Sequence, residues 1–217
     1  MKTQHITYVS LGTNQGNKFE NLQNAIDLIA DEVGDIQKIS SIYKTDALGF
    51  DGDEFLNAIV KISTYLPPQT LMLTLLNLEK KIGRIRTENK QYSNRIIDLD
   101  IILFDDEIIF SKIVIVPHSK MLERKFVMVP LVEIAGNYIH PIEKKQLNIC
   151  LLNCNDSSKI IKIDIDLVRP ISISEKYNYI AIEGNIGAGK TSLAKMISDE
   201  FNAKKVLERF ADNSFLP

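Results

Sequence analysis

The chain of 217 residues has no tryptophan and only two cysteines, Cys150 and Cys154. Two cysteines four residues apart without neighbouring histidines are a weak metal-binding signal, and we expect two ordinary buried thiols rather than a disulfide framework. No apolar run is long enough to span a membrane, and the N-terminus lacks the apolar core of a secretion signal. We therefore expect a cytoplasmic protein that does not bind membranes.

The chain also lacks a strong charge of either sign, because its 26 basic and 28 acidic residues leave a net charge of -2. This balance excludes the general basic field that nucleic-acid-binding proteins use, so any phosphate must be bound by local basic clusters. The hydrophobic fraction of 45% is normal for a packed core. The length allows one large domain, or one domain and part of another, and oligomeric state is not predictable.

Hydrophobic periodicity predicts the order strand, helix, strand, strand, helix, strand, strand over the first 116 residues. The predicted strands are Ile6–Leu11, Ile36–Thr45, Glu54–Thr64, Arg95–Phe104 and Ile108–Val116. The predicted helices are Phe19–Val33, one that starts at Pro67-Pro68, and a short one at Leu131–Ala135. Because helices and strands do not alternate strictly, we predict an α+β sandwich with a mostly antiparallel sheet and helices on one face.

The predicted strand from Arg95 to Phe104 carries two carboxylates, Asp98 and Asp100. Residues two apart in a strand point to the same side, so both carboxylates lie on one face, which Ile102 and Phe104 continue. Two like charges beside an apolar layer repel each other and lose hydration, and a cation between them is the simplest remedy. The pair therefore indicates Mg2+ and a phosphate substrate. The alternative is a strand end with one solvated aspartate and one that caps a turn.

Basic residues surround this acidic pair in the sequence. The candidates for binding phosphate are Arg84, Arg86, Arg95, His118 and Arg124. Arginine binds phosphate oxygens through two parallel hydrogen bonds, and a histidine can donate to them. Each residue also has an ordinary interpretation, because Arg84 and Arg86 could be solvated cations at a helix end and His118 could be a turn residue.

Several short motifs between residues 5 and 142 resemble the hydroxymethyl-dihydropterin pyrophosphokinases of folate synthesis. The matching motifs are Ser10-Leu-Gly-Thr-Asn14, Ser41-Ile-Tyr-Lys-Thr45, Leu48-Gly49, Phe55-Leu-Asn57-Ala58, Glu79 with Gly83-Arg-Ile-Arg86, Arg95-Ile-Ile-Asp-Leu-Asp100, Pro117-His118, Arg124-Lys-Phe126 and Pro130-Leu131. The resemblance implies a ferredoxin-like fold. It also implies transfer of diphosphate from ATP to the hydroxymethyl group of a reduced pterin, with release of AMP.

The resemblance also implies roles for individual residues. Asp98 and Asp100 would hold two Mg2+ ions, and together with Arg84 and Arg95 they are the expected catalytic residues. Arg84, Arg86, Arg95, His118 and Arg124 would bind ATP. Phe55 and Phe126 would stack on the pterin, Asn57 would hydrogen-bond its edge, and the backbone at Thr45 and Leu48 would assist. From the residues alone, Phe55, Asn57 and Phe126 are equally compatible with core packing and a turn.

The chain departs from this family in one loop and at one position. Tyr92-Ser-Asn-Arg95 replaces the Trp-Gly-Pro-Arg run that family members often have, and the stretch from Gly83 to Arg95 is one residue longer. We expect the loop over the nucleotide to close differently. Ser119 follows the histidine where Tyr or Pro is common.

A second pattern begins near Tyr177, where a predicted strand at Asn178–Glu183 leads into Gly184-Asn-Ile-Gly-Ala-Gly-Lys-Thr191 and a predicted helix at Ser192–Phe201. This G-x-x-x-x-G-K-T pattern is typical of a P-loop. The backbone at Gly184 and Gly189 would surround phosphates, Lys190 would reach them and Thr191 would bind Mg2+. The alternative is a plain glycine turn.

The P-loop and Glu208-Arg-Phe resemble the beginning of deoxynucleoside kinases, a family in which Glu208 would accept a proton from the sugar hydroxyl. We predict a pyrophosphokinase domain at 1–165, a linker at 166–176 and an incomplete kinase fragment at 177–217. Two other interpretations remain open: a nucleoside kinase with a fused N-terminal partner, and a nucleotide-binding module without turnover.

Overall fold

The computed structural model describes residues 3–50, 52–85, 93–171, 176–185, 187–201 and 203–207. The chain divides into two compact units, residues 1–170 and 171–217. Among the described residues, no helix combines the length and the apolar character that a membrane crossing requires.

The first unit contains eight described strands and four α-helices. The strands are β1 (His5–Thr13), β2 (Gly34–Ile39), β3 (Ile42–Thr45), β4 (Phe55–Thr64), β5 (Asp98–Phe104), β6 (Ile109–Phe110), β7 (Ile115–Val116) and β8 (Ile160–Ile163). The helices are α1 (Lys18–Glu32), α2 (Pro68–Ile82), α3 (Lys125–Ala135) and α4 (Leu147–Leu152), with a 3₁₀ turn at Met121–Glu123.

Six strands form one sheet in the order β5-β1-β4-β3-β8, and β2 pairs with the other part of β4. Every strand pair recorded in this sheet is antiparallel. The predicted α+β class with a mostly antiparallel sheet is therefore confirmed. Strands β1, β4 and β5 are neighbours in this sheet and bring together distant segments of the chain, and this arrangement creates the site described below.

Helices cover both faces of the sheet, so the prediction of helices on one face was wrong. Leu22 and Ile26 of α1 pack with Leu75 of α2 in one core cluster. Met128 of α3 and Leu147 of α4 belong to a second cluster with other sheet residues. The central strands have long runs of buried residues rather than a strict alternation, so both faces need an apolar cover.

Some predicted element boundaries differ from the structure. The predicted strand Ile36–Thr45 is two strands, because the Ser40 hydroxyl accepts the Ile59 backbone N–H in place of a backbone carbonyl. The predicted strand Ile108–Val116 is a hairpin of two short strands. Helix α3 begins at Lys125 instead of Leu131, and periodicity did not reveal α4 or β8 because both are short.

The second unit contains a helix, α5 (Lys190–Glu200), close to the predicted helix. The strand expected at Asn178–Glu183 is absent: those residues are described without strand structure. An isolated strand leaves its backbone hydrogen bonds unmade, and the described part of this unit offers no second strand to pair with. Glu208 lies outside the described residues.

Candidate active site

A cavity of about 280 Å³ opens on the sheet face that α3 and α4 cover. Its floor is built from alternate residues of three neighbouring strands. Gly12 of β1 lies opposite Asn57 of β4 on one side and opposite Asp98 of β5 on the other. Two residues along β1, Ser10 lies opposite Asp100. This register brings the acidic pair beside residues from distant parts of the chain.

Most of the predicted site residues line this one cavity. They are Thr45, Leu48, Phe55, Asn57, Arg95, Asp98, Asp100, His118, Arg124 and Phe126. Arg84 does not line the cavity but contacts Asp98. Arg86 and most of the predicted longer loop from Gly83 to Arg95 lie outside the described residues. Gly184, Gly189, Lys190 and Thr191 belong to the second unit.

Two arginines hold the carboxylate of Asp98. Arg84 Nη1 donates to Asp98 Oδ1, and Arg95 Nη1 donates to Asp98 Oδ2 at 2.6 Å. Arg84 also donates to Glu79 Oε1 at 2.5 Å, and the same oxygen accepts the Leu99 backbone N–H at 2.9 Å. Glu79 is 1% exposed, so this buried carboxylate links the end of α2 to the first residues of β5 and fixes Arg84.

Asp100 has a different environment from Asp98. Burial, together with the negative charges of Asp98 and Glu79, raises the pKa of Asp100 to about 7. Asp98, Asp100 and Ile102 all line the cavity, as expected for residues that share one face of the strand. Phe104 does not continue that face, because the β1–β5 register shifts between Tyr8 and Val9, and Phe104 packs in the core cluster of α1 and α2.

The acidic pair fits a magnesium ion that is shared with a phosphate substrate. Mg2+ is usually held by one or two carboxylates, with water and phosphate oxygens completing its shell. Among the described residues, no group of three or more His, Cys, Asp or Glu side chains could enclose a metal by itself. The close like charges that raise the pKa of Asp100 are a charge arrangement that a divalent cation relieves.

Three of the phosphate-binding candidates, Arg95, His118 and Arg124, line the cavity together with the acidic pair. Arg95 Nε is buried without a hydrogen-bond partner among the described residues, a donor that an anion would satisfy. His118 Nδ1 accepts the Lys120 backbone N–H at 3.2 Å, so a neutral His118 carries its proton on Nε2. Burial, and next the positive charge of Arg124, lowers the pKa of His118 to about 4. His118 is therefore a neutral donor near pH 7.

Aromatic rings also line the cavity and contact two of its arginines. The Arg95 guanidinium lies 5.4 Å from the Phe55 ring centroid, and the Arg124 guanidinium lies 5.7 Å from that of Phe126. Phe50 contacts Phe55 edge to face, with centroids 6.3 Å apart. Rings fixed in this way suit a flat heteroaromatic ligand.

The polar group beside these rings is Asn57, which is 3% exposed. Its side-chain nitrogen donates to Thr45 Oγ1 at 3.0 Å, while its Oδ1 accepts no hydrogen bond from the described residues. The Asn57 amide is therefore held from behind and can offer its oxygen to a ligand.

Seven residues that line the cavity were not predicted to have a role. They are Ser10, Gly12, Asp46, Phe50, Met72, Ile102 and Val127. For Ser10 and Gly12 a signal was available, because the two are separated by one residue in the strand that precedes the first turn. Met72 and Val127 carry no such signal, because apolar residues at helical spacing look like any other core residue.

The sequence profile of the 7,8-dihydro-6-hydroxymethylpterin-pyrophosphokinase (HPPK) family matches residues 8–136. The chain belongs to this family. The match covers more than half of the chain and includes every described residue of the acidic pair and its surroundings. The ferredoxin-like description remains an expectation, whereas the α+β architecture is observed.

Curated relatives agree with this membership. The chain is 40% identical over 141 residues to the 2-amino-4-hydroxy-6-hydroxymethyldihydropteridine pyrophosphokinase of Aquifex aeolicus, covering 64% of this chain and 86% of that protein. It is 40% identical over 132 residues to the Bacillus subtilis enzyme of the same name, covering 60% of this chain and 78% of that protein. The chain is also 34% identical to part of the Pneumocystis carinii folic acid synthesis protein fol1, and this match covers 78% of this chain and 22% of that protein.

Solved structures show the same fold. Wild-type Plasmodium falciparum HPPK-DHPS superposes with a TM-score of 0.60 at 15% identity, covering 70% of this chain and 45% of that chain. An HPPK-DHPS crystallised with substrates gives a TM-score of 0.59 at 15% identity, covering 70% of this chain and 43% of that chain. The HPPK chain described here therefore spans less than half of these larger proteins.

Proposed function

We propose that the HPPK unit transfers diphosphate from ATP to the hydroxymethyl group of 6-hydroxymethyl-7,8-dihydropterin and releases AMP, as a step of folate biosynthesis. The observation that carries this proposal is one cavity that is lined by an acidic pair, by cations suited to phosphate and by aromatic rings. In our proposal residues 1–165 form this domain and residues 166–176 connect it to the second unit.

In this proposal, Asp98 and Asp100 would hold Mg2+, and the triphosphate would bind the same ion. Bound Mg2+ supplies charge neutralisation for the transferred diphosphate. Arg84 and Arg95 already contact Asp98, and Arg95 Nε is an additional buried donor for a phosphate oxygen. His118 donates from Nε2 without adding a charge. These groups hold the reacting atoms in line, which is the main requirement of phosphoryl transfer.

In the same proposal, Phe55 and Phe126 stack on the two faces of the pterin. Each stack contributes on the order of 1 kcal/mol. Asn57 Oδ1 accepts a hydrogen bond from the pterin edge, because its nitrogen is already held by Thr45. The backbone near Thr45 and Leu48 completes the edge of the site.

The proposed activity is tested with ATP, Mg2+ and 6-hydroxymethyl-7,8-dihydropterin. We expect AMP to form only when all three are present, and 6-hydroxymethyldihydropterin diphosphate to appear in equal amount. If AMP fails to form although ATP binds, the chain is a nucleotide-binding module without turnover. If ADP forms only when a deoxynucleoside is added, the activity belongs to a nucleoside kinase.

For the second unit we propose a separate phosphate-binding loop at residues 184–191, the start of a deoxynucleoside kinase. The support is the G-x-x-x-x-G-K-T pattern, with helix α5 beginning at Lys190. Gly187 and Gly189 have φ of 83° and 81°, a backbone conformation that glycine adopts readily. Lys190 Nζ folds back onto the loop and donates to Asn185 O at 2.8 Å.

Calorimetry with a non-hydrolysable ATP analogue tests this second proposal. We expect two binding sites in the wild-type chain and one in Lys190→Ala. Lys195→Ala, in the same helix but outside the motif, is the control. A single site in the wild type would contradict the phosphate-binding loop and leave the HPPK proposal unaffected.

A further inference from the structure

Ser10 is a buried residue in the wall of the cavity. Ser10 is 8% exposed and lines the cavity. Its hydroxyl makes no hydrogen bond to the described part of the protein. A hydroxyl in a cavity wall that makes no hydrogen bond to the described protein can bond to water or to a ligand in that cavity.

The strand register determines which part of the ligand Ser10 faces. Ser10 lies directly opposite Asp100 in the β1–β5 ladder, and side chains of such a pair point to the same face about 5 Å apart. Its neighbour on the other side is Ile59 of β4, a fully buried apolar residue. The polar surroundings of the Ser10 hydroxyl are therefore on the Asp100 side of the cavity. Two residues further along β1, Gly12 lies between Asn57 and Asp98.

We propose that Ser10 is a positioning residue that hydrogen-bonds a water molecule in the coordination shell of the divalent cation held by Asp100. This inference rests on the proposed function. Mg2+ keeps several waters when protein side chains supply only two carboxylates, and those waters need hydrogen-bond partners. A serine hydroxyl both donates and accepts, so it can bind such a water beside a carboxylate without adding a charge to the site.

Direct binding of the metal by Ser10 is the less favoured alternative. A neutral hydroxyl is a poor replacement for a carboxylate ligand, and the two aspartates on β5 already share one face. A role in binding the pterin is also less favoured, because Ser10 lies opposite Asp100 and Ile59, whereas Asn57 lies opposite Gly12.

The test is Mn2+ titration, followed by electron paramagnetic resonance, of the full chain with a non-hydrolysable ATP analogue. We expect Ser10→Ala to weaken Mn2+ binding about fivefold, the effect of one hydrogen bond, while pterin affinity and the melting temperature stay unchanged. Ser10→Thr, which keeps the hydroxyl, should restore most of the affinity. Ser63→Ala is the matched control, because Ser63 is 6% exposed in the same sheet and does not line the cavity.

The possible results separate the alternatives. Unchanged Mn2+ affinity in Ser10→Ala overturns the proposal. A loss of pterin affinity with unchanged Mn2+ affinity also overturns it and assigns Ser10 to the substrate. If wild-type protein forms no AMP but Ser10→Ala still weakens Mn2+ binding, the proposed function fails while the role of Ser10 stands.

Discussion

Asp98 and Asp100 share one strand face but have opposite electrostatic environments. Arg84 and Arg95 both donate to Asp98, so its charge is compensated within the protein. Asp100 is surrounded by the negative charges of Asp98 and Glu79, and its pKa is raised to about 7. The positive charges of Arg124 and Arg84 offset this only in part. At the scale of single residues, the site therefore combines one paired and one incompletely compensated carboxylate.

We expect the two neutralising substitutions to change stability in opposite directions. In metal-free protein, Asp98→Asn should lower the free energy of unfolding by about 2 kcal/mol, because Arg95 loses its carboxylate partner and Arg84 keeps only Glu79. Asp100→Asn should raise it by about 1 kcal/mol, because a buried like charge is removed. Both variants should lose AMP formation at least about 100-fold. Urea unfolding with a chelator and the AMP assay measure the two effects.

If both substitutions destabilise the metal-free protein equally, the assignment of an incompletely compensated Asp100 is wrong. If either variant keeps full turnover, the metal assignment is wrong. Asp106→Asn is the control, since Asp106 is an exposed aspartate in the turn after the same strand.

His118 gives a prediction about pH. With a pKa lowered to about 4, its imidazole is neutral throughout the range from pH 5.5 to 9, so it donates from Nε2 without titrating. We expect His118 to cause no inflection near pH 6.5 in the pH profile of kcat/KM for ATP. The substitution His118→Gln should therefore remove no inflection from that region of the profile. His118→Gln, with a neutral donor, should retain more activity than His118→Leu. An inflection near pH 6.5 that is lost in His118→Gln would contradict a neutral His118.

At the scale of elements, Glu133 attaches α3 to the sheet. Its carboxylate accepts the Ser41 backbone N–H at 2.9 Å, the Ser41 hydroxyl at 2.7 Å and the Tyr43 hydroxyl at 3.2 Å. Partial burial raises the pKa of Glu133, but the Ser41 hydrogen bonds outweigh it, so the net pKa is lowered. Helix α3 carries Phe126, so this attachment also supports one wall of the cavity.

Glu133→Gln should destabilise the protein by about 1 kcal/mol near neutral pH, because hydrogen bonds to a partly exposed charge are weakened. A carboxylate whose pKa is lowered in the folded state stabilises the folded protein above its unfolded pKa of about 4.3. This stabilisation is lost as pH falls through the folded-state pKa. The difference between wild type and variant should therefore shrink as the pH falls below the unfolded pKa and vanish below the lowered folded-state pKa. Thermal unfolding across this range is the measurement. Glu107→Gln, an exposed carboxylate, should show no difference at any pH.

The loop between β3 and β4 supplies Phe50, which contacts the Phe55 ring and lines the cavity. Its position depends on Gly52, since a Cβ there would lie 2.4 Å from Phe50 Cε2. We expect Phe50→Ala to weaken pterin binding about fivefold through the lost aromatic contact and to leave ATP binding unchanged. Fluorescence titration with the pterin measures this change. Phe110→Ala, which removes an exposed ring from the β6–β7 hairpin, should have no effect.

At the scale of the whole molecule, the HPPK family match and the predicted site residues for pterin chemistry all fall within the first unit. We expect a chain ending at Pro170 to keep the melting temperature of the full chain. Its kcat/KM for the pyrophosphokinase reaction should stay within about twofold of the full-chain value. Lys190→Ala in the full chain should likewise leave this reaction unchanged. A tenfold loss in either variant would show that the two units are energetically coupled.

Much of the fold was predictable because hydrophobic periodicity is a local signal. The long elements β1, α1, β4 and α2 were predicted close to their observed bounds. The second helical layer was missed in part, because α3 contains Pro130 and α4 is only six residues long. Strand β8 was also missed, because it has only four residues and pairs with β3 at the edge of the sheet.

The sequence by itself determined that Asp98 and Asp100 share a strand face, because a strand repeats every two residues whatever its neighbours are. It also determined family membership through short motifs. Only the tertiary structure decided that Ser10 lies opposite Asp100, that Glu79 fixes Arg84 and that Phe50 contacts Phe55. Such contacts depend on strand register and on packing between elements, and these are properties of the assembled sheet rather than of any local segment.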